Sequence, residues 1–268
     1  MNKSVSIIGM GWLGQPLAVH LDGLGYDISG SVMTLEKATQ LQQRGFDAYR
    51  IVVSDDGVHG QINTLLEDTS CAILMIPPGL RRDTGANFFQ KMEHLYTELK
   101  RFKVPKVILV SSISVYDDSQ GKVTESDNPK PQNATAKQLW ETEEMFINST
   151  DFKTTVVRFG GMFSGSRQPL RFLVGRKNLS GGQAPVNLIH RDDCIQIISE
   201  ILEKDAFGHI FNAVHPDHPT KAEYYIDRAK KAGLAPPSFK KNYTTETYKQ
   251  VDSENLVKIL NYQFKRSL

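Results

Sequence analysis

The chain has 268 residues, 40% of them hydrophobic and 23% charged, which suits one large soluble domain or a domain with a small lobe. Its 32 basic and 30 acidic residues leave a formal net charge of +2, so charge makes no case for nucleic acid or a membrane surface as partner. No apolar run approaches the ~20 residues that cross a bilayer. Met1-Asn2-Lys3-Ser4 leads into a strand rather than a secretory leader, so a cytoplasmic protein is expected. The two cysteines, Cys71 and Cys194, sit in an apolar and an amphipathic run and read as reduced core thiols.

Residues 5–8 form a short apolar run ending at glycines, which predicts a buried strand. Residues 15–24 read as a helix, with Leu17, Ala18 and Leu21 on one face and Pro16 in the first turn, where proline is tolerated. A strand follows at 26–32, a helix at 35–44 stopping at Gly45, and a strand at 48–53. The run Cys71-Ala72-Ile73-Leu74-Met75-Ile76 is cut off by Pro77-Pro78-Gly79 and reads as a fourth, buried strand. Residues 87–102 carry Phe88, Met92, Leu95 and Leu99 at helical spacing, and 106–110 make a fifth strand ending in Ser111-Ser112. The alternation goes on with a helix at 136–148, a strand at 155–158, a helix at 193–203 and a strand at 209–213. Strands alternating with helices at short intervals specify an α/β fold, a doubly wound parallel sheet with helices on both faces.

Two stretches do not extend that sheet. Residues 160–185 are rich in glycine and basic side chains, and the tail from Pro216 has helical pieces at 221–232 and 253–260 separated by Pro236-Pro237. They are expected to pack together as a small C-terminal substrate lobe. The expected division is a cofactor-binding domain of residues 1–164 plus 186–215 and a lobe of residues 165–185 plus 216–268.

Gly9-Met10-Gly11-Trp12-Leu13-Gly14 follows a strand and opens a helix. The first glycine permits the tight turn, the second lets the backbone approach a pyrophosphate, and the third lets helix and strand pack closely. That context makes the motif a dinucleotide site of the Rossmann type. An acid that would hold the adenosine ribose belongs ~20 residues on. The chain there reads Gly30-Ser31-Val32-Met33-Thr34, without a carboxylate. Ser31, Thr34 and Lys37 are candidate donors to a 2′-phosphate, so NADP is the expected cofactor, with NAD left open.

Ser111-Ser112-Ile113-Ser114-Val115-Tyr116 resembles the Ser-Ser-x-x-Val-Tyr segment of the NAD-dependent epimerase/dehydratase group, the extended short-chain dehydrogenases/reductases. Ile76-Pro77-Pro78, Val157-Arg158-Phe159-Gly160-Gly161, the stretch from Val186 to Asp193 and Gly208-His209-Ile210-Phe211-Asn212 resemble other segments of that family in the same order. The resemblance implies that Pro77, Pro78, Ser111, Gly160 and Gly161 line the cofactor. It also implies a catalytic serine, tyrosine and lysine. Ser112 matches the serine and Lys137 the lysine that holds the nicotinamide ribose. The tyrosine position is then Asn133, whose amide does not titrate and cannot shuttle a proton. Such a chain is similar to the atypical branch of the superfamily, which keeps the cofactor fold and loses the full catalytic set.

Tyr116 is the candidate replacement acid, and Arg167, Arg171 and His190 are candidates for the substrate. His215-Pro216-Asp217-His218 lacks a third ligand and reads as a surface loop, so no metal is expected. Two functions follow. One is an atypical NADP(H)-dependent oxidoreductase, or a relative of the epimerases, acting on a small polar substrate. The other is a catalytically weak NADP(H)-binding sensor or scaffold. No nucleic acid or membrane partner is expected, and a homodimer is left open.

Overall fold

Apolar runs without alternation are suited to strands covered on both faces, and here they form the centre of a large sheet. The computed structural model describes residues 3–78, 87–165, 167–240 and 247–268. The strands are β1 (Ser4–Ile8), β2 (Asp27–Val32), β3 (Asp47–Ser54), β4 (Gly57–Gly60), β5 (Cys71–Leu74), β6 (Lys106–Ser112), β7 (Gly121–Val123), β8 (Lys153–Phe159), β9 (Gly161–Phe163), β10 (Leu188–His190), β11 (Ile210–Ala213) and β12 (Lys249–Val251). Eight of them make one sheet in the order β11-β8-β6-β5-β1-β2-β3-β4. β1 lies parallel between β2 and β5, with β3 parallel to β2 and β6 parallel to β5. Strand β4 runs antiparallel to β3 at the edge, which departs from the expected parallel arrangement.

The strand order has a switch point beside β1. The chain builds outward from β1 through β2 and β3, then returns to β5 on the other side of β1. Open α/β sheets bind ligands at such a switch point, beyond the C-terminal ends of the strands. The glycine turn leaves β1 at that end.

Two compact units divide the chain. The first holds Met1–Ser112, Gln132–Arg158 and Ile198–Ile210. Ile7, Ile8, Ile73, Leu74 and Ile108 are buried in its sheet, and helix α1 (Gly14–Gly23) covers it with Leu17, Ala18 and Leu21. Helix α2 (Leu35–Gln42) follows β2. The short helix α3 (Ile62–Leu66), absent from the sequence pattern, is anchored by Ser6 of β1. The Ser6 hydroxyl reaches Leu65 O and the Thr69 hydroxyl, each at 2.7 Å. Helix α4 (Phe88–Arg101) buries Phe88, Met92, Leu95 and Leu99, the four residues its periodicity singles out. Each such side chain contributes about 1.5–3 kcal/mol by leaving water. Helix α5 (Ala134–Ile147) completes the unit's long elements.

The second unit holds Ile113–Pro131, Phe159–Ile197 and Phe211–Leu268. It contains two small parallel pairs, β9 with β10 and β7 with β12. Helices α6 (Arg191–Glu203, opening in this unit), α7 (Lys221–Lys231) and α8 (Glu254–Lys258) belong with them. Its core gathers Phe163, Leu170, Val186, Leu188, Tyr224, Tyr225 and Ala229. Bridges Leu179 to Phe239 and Pro185 to Thr220 tie the basic glycine-rich stretch to the tail. Among the described residues, no helix is long and apolar enough to cross a membrane.

Candidate functional site

Main-chain contacts shape the turn after β1. Gly9 N donates to Ser31 Oγ at 3.1 Å, Met10 N to Ser31 O at 2.8 Å, and Gly11 N to Gly9 O at 2.8 Å. The Gln15 amide reaches back to Met10 O at 3.2 Å. Leu13, at the N-cap of α1, brings no side-chain acceptor to the helix start.

The three glycines of the motif are glycine for different reasons. Gly9 sits at φ +112°, and a Cβ there would lie 2.8 Å from Met75 O. A Cβ on Gly14 would lie 2.5 Å from Gly9 O. Gly11 is exposed, and a Cβ on it would meet no atom of the protein within 4 Å. The fold therefore requires Gly9 and Gly14 but not Gly11. A side chain at Gly11 would fill only the space that a pyrophosphate approaches in this motif, so the residues present fit a dinucleotide. Met10 and Leu13 are buried and Trp12 is half-buried. Gly30, which sequence reading missed, admits Met10: a Cβ on Gly30 would collide with the Met10 Sδ. A glycine inside a strand was the available signal.

The end of β2 departs from expectation at one residue. Ser31 is buried and its hydroxyl accepts the Gly9 N–H, so it holds the turn rather than facing a phosphate. Thr34 and Lys37 are exposed, with Thr34 capping α2 through the Lys37 N–H at 3.4 Å. Glu36 accepts from Gln40 at 3.2 Å on the exposed side of that helix. Pro77, exposed, and Pro78, half-buried, follow β5.

Ser111 also takes a different place from the one expected. It is buried, and its hydroxyl donates to Glu143 Oε1 of α5 at 2.5 Å instead of lining the cofactor. Successive residues of a strand point to opposite faces, so Ser112, half-buried, leaves β6 on the other side. Glu143 pairs with Arg158 of β8 at 2.6 Å, both fully buried. Burial pushes the Glu143 carboxyl up, opposed by the Arg158 guanidinium. Asn133 is the N-cap of α5, and its Oδ1 accepts the Ala136 N–H at 2.9 Å. The helix thus begins at Ala134, two residues before the sequence pattern places it. Lys137, in its first turn, is exposed.

In the second unit, Tyr116 has no exposed surface. Its hydroxyl faces Thr124 O at 2.9 Å and Asn212 Oδ1 at 3.2 Å, which makes it a core anchor rather than a pocket acid. Gly160 N donates to Ala213 O at 3.0 Å and Gly161 N to Asn187 O at 2.8 Å. A Cβ on Gly160 would lie 2.8 Å from Asn187 O and one on Gly161 2.7 Å from the Leu188 side chain, so their lack of side chains lets β9 lie against its neighbours. Arg167 and Arg171 are exposed. The His190 Nδ1 accepts the Asp192 N–H at 3.2 Å, and its ring meets Phe163 edge-on at 5.2 Å. Asp192 and Asp193 lie in the first turn of α6, which starts at Arg191 rather than being capped by either acid. Asp193 is buried and receives the Tyr262 hydroxyl and the Lys265 N–H, each at 2.7 Å. His215 Nδ1 accepts the Asp217 N–H at 3.1 Å, and His218 Nδ1 lies 2.9 Å from Val186 O.

Burial pushes the His190 and His215 imidazoles below the usual histidine value of 6.5. A folded value below the unfolded one favours folding above the unfolded pKa, and the advantage is lost as pH falls through the folded value. The melting temperature is expected to drop as pH is lowered from about 7.5 to about 5.5, and His190→Gln/His215→Gln to flatten the drop. Scanning calorimetry across that range checks this; parallel wild-type and variant profiles would reject it.

A cavity of about 510 Å³ opens within the second unit, with Asp118, Asn187, Lys221, Tyr225, Tyr248 and Lys249 in its wall. Lys249 Nζ donates to Tyr116 O at 2.5 Å and pairs with Asp118 at 3.1 Å. Burial pushes the Tyr225 hydroxyl up to about 12.

No family model matches the chain. UDP-glucose 4-epimerase from Thermotoga maritima, solved with UDP-glucose, superposes with a TM-score of 0.79 at 16% identity, covering 98% of this chain and 94% of that one. A short-chain dehydrogenase/reductase superfamily protein from Agrobacterium tumefaciens with bound NAD gives 0.78 at 15% identity, covering 98% and 93%. These likenesses show the fold: the chain has the Rossmann-type arrangement of a parallel sheet flanked by helices seen in both of those proteins. Protein YeeZ of Escherichia coli K12 is 30% identical over 266 residues, spanning 98% of this chain and 96% of that protein. With that identity running end to end, this chain belongs to the family of Protein YeeZ.

Proposed function

We propose that the chain binds NADP(H) at the Gly9–Gly14 turn and acts as an atypical oxidoreductase or epimerase-like enzyme on a small polar substrate. The observation that carries this reading is Gly11. It is the glycine of the three that the protein's own packing leaves free to carry a side chain. When bound, the nicotinamide supplies hydride transfer. Ser112 donates to the reacting oxygen, and the Lys137 ammonium holds the nicotinamide ribose. Within the second unit, the cavity walled by Asp118, Lys221 and Lys249 is a separate candidate for a polar ligand. Its wall joins Arg167, Arg171 and His190 as the residues to examine for substrate contact.

The preference for NADP rests on the missing carboxylate at the end of β2 and on Lys37 and Thr34, both exposed there. NADPH is expected to bind about tenfold more tightly than NADH, the value of one exposed charge-assisted contact. Lys37→Ala is expected to erase the difference. Titration calorimetry with both nucleotides tests this, and equal affinities for the wild type would remove the NADP assignment.

A second reading, a sensor or scaffold that binds NADP(H) without turnover, draws on Asn133. Its amide is engaged in capping α5 and brings no titrating group to the tyrosine position. Turnover on a carbonyl panel separates the two readings.

A further inference from the structure

Ser111, Glu143 and Arg158 form a buried charged cluster that cofactor binding leaves unused. Glu143 has no exposed surface, and Arg158 is 1% exposed. The Arg158 Nε lies 3.2 and 3.0 Å from the two Glu143 oxygens, and Nη2 lies 2.6 Å from Oε2. The Ser111 hydroxyl supplies a further donor at 2.5 Å. The guanidinium carbon sits 5.5 Å from the centre of the Trp140 ring. The cluster joins the ends of β6 and β8 to the middle of α5.

An ion pair this deep is a poor source of stability. Desolvation cancels most of the attraction, and apolar side chains of similar volume often serve as well or better. What a multiply bonded pair does supply is fixed geometry. That geometry falls on the two elements carrying the proposed reacting groups. Ser112 directly follows Ser111, so holding the Ser111 side chain on one face of β6 fixes the backbone from which Ser112 leaves on the other. Lys137 lies six residues before Glu143 on the same helix, so holding Glu143 fixes the rotation of α5 and the direction in which Lys137 leaves it.

We propose that Ser111, Glu143 and Arg158 are positioning residues that keep β6 and α5 in the register presenting Ser112 and Lys137 to the cofactor and substrate. The inference rests on the cofactor reading of the glycine turn and deepens it. Removing Glu143 alone would strand a buried guanidinium, so the informative variant is Glu143→Leu/Arg158→Met, which replaces the pair with apolar volume. Ser111→Ala and Ser111→Thr accompany it. Three quantities are measured: melting temperature, NADPH Kd by nicotinamide fluorescence, and the protection that bound NADPH gives Lys137 against acetylation, mapped by peptide mass.

The double variant is expected to melt within a few degrees of wild type and to bind NADPH within about threefold, because the turn between β1 and α1 is not part of the cluster. Protection of Lys137 is expected to fall about fivefold or more, since a group displaced by an ångström loses its contact. Ser111→Ala should fall part of the way, and Ser111→Thr should restore it. Full protection of Lys137 in the double variant overturns the proposal. A parallel loss of stability, affinity and protection overturns it too, because a purely structural pair gives that result. Failure of the wild type itself to bind NADPH sinks the cofactor reading and the brace with it, whereas failure of the brace alone leaves wild-type affinity and protection intact.

Discussion

Gly11→Val is expected to abolish NADPH binding while leaving the melting temperature unchanged. A Cβ at this exposed position would meet no protein atom within 4 Å, so local packing does not oppose the start of a side chain there. The valine branches would occupy the space beside the turn where a pyrophosphate must approach the backbone. Loss of that contact should weaken binding by at least about 100-fold, or about 2.7 kcal/mol. The neighbouring glycines predict the opposite pattern. Gly9→Ala places an L-residue at φ +112° against Met75 O, a strain of about 1–3 kcal/mol before the clash is counted. Gly14→Ala drives a methyl into Gly9 O, and neither atom belongs to a flexible side chain. Both alanine variants should melt earlier, and Gly11→Val should not. Calorimetry and a thermal melt on the three proteins decide it. NADPH binding that survives Gly11→Val would place the dinucleotide elsewhere.

The same distinction shows how far the sequence could be read. Elements with a continuous apolar run or a long period were legible: α4 buries the four residues at its helical spacing, and the apolar run of residues 71–76 holds the central strand β5, which ends two residues earlier at Leu74. Strands of three or four residues, such as β4, β7, β9, β10 and β12, are too short to show a period. The start of α5 was misplaced because apolar periodicity begins later than the helix, whose true signal was the capping Asn133. The glycine turn was legible because its logic is local. The engagements of Ser31, Ser111 and Tyr116 were not, because each partner is remote in sequence. Gly9 lies 22 residues from Ser31, Glu143 lies 32 from Ser111, and Asn212 lies 96 from Tyr116. A hydroxyl in a motif looks available until the fold brings its partner to it.

Asn133→Tyr is expected to lower stability and raise reductase activity at once, and the two effects can be separated. Asn133 caps α5, and losing the side-chain acceptor costs about 1 kcal/mol. In a chain of this size that is about 2–4 °C of Tm. The gain comes from placing a phenol at the start of the helix whose first turn carries Lys137, where the ammonium lowers its pKa toward a useful range. General acid–base help is worth about 10²–10⁴-fold. The lower end is expected, because the extended backbone of Asn133 does not aim its Cβ along the helical face as an interior residue would. Two control substitutions isolate the terms. Asn133→Asp keeps a capping oxygen and adds a charge favoured at a helix start, so it should hold the melting temperature and gain no rate. Asn133→Ala should lose stability like the tyrosine variant and also gain no rate. Adding Lys137→Ala to Asn133→Tyr should remove the gain. An Asn133→Tyr protein no faster than Asn133→Ala would show that this position is a helix cap and not the place of the missing acid. Brisk wild-type turnover that survives Lys137→Ala would likewise remove the lysine from the chemistry, and the proton would then have to come from a group outside the first turn of α5.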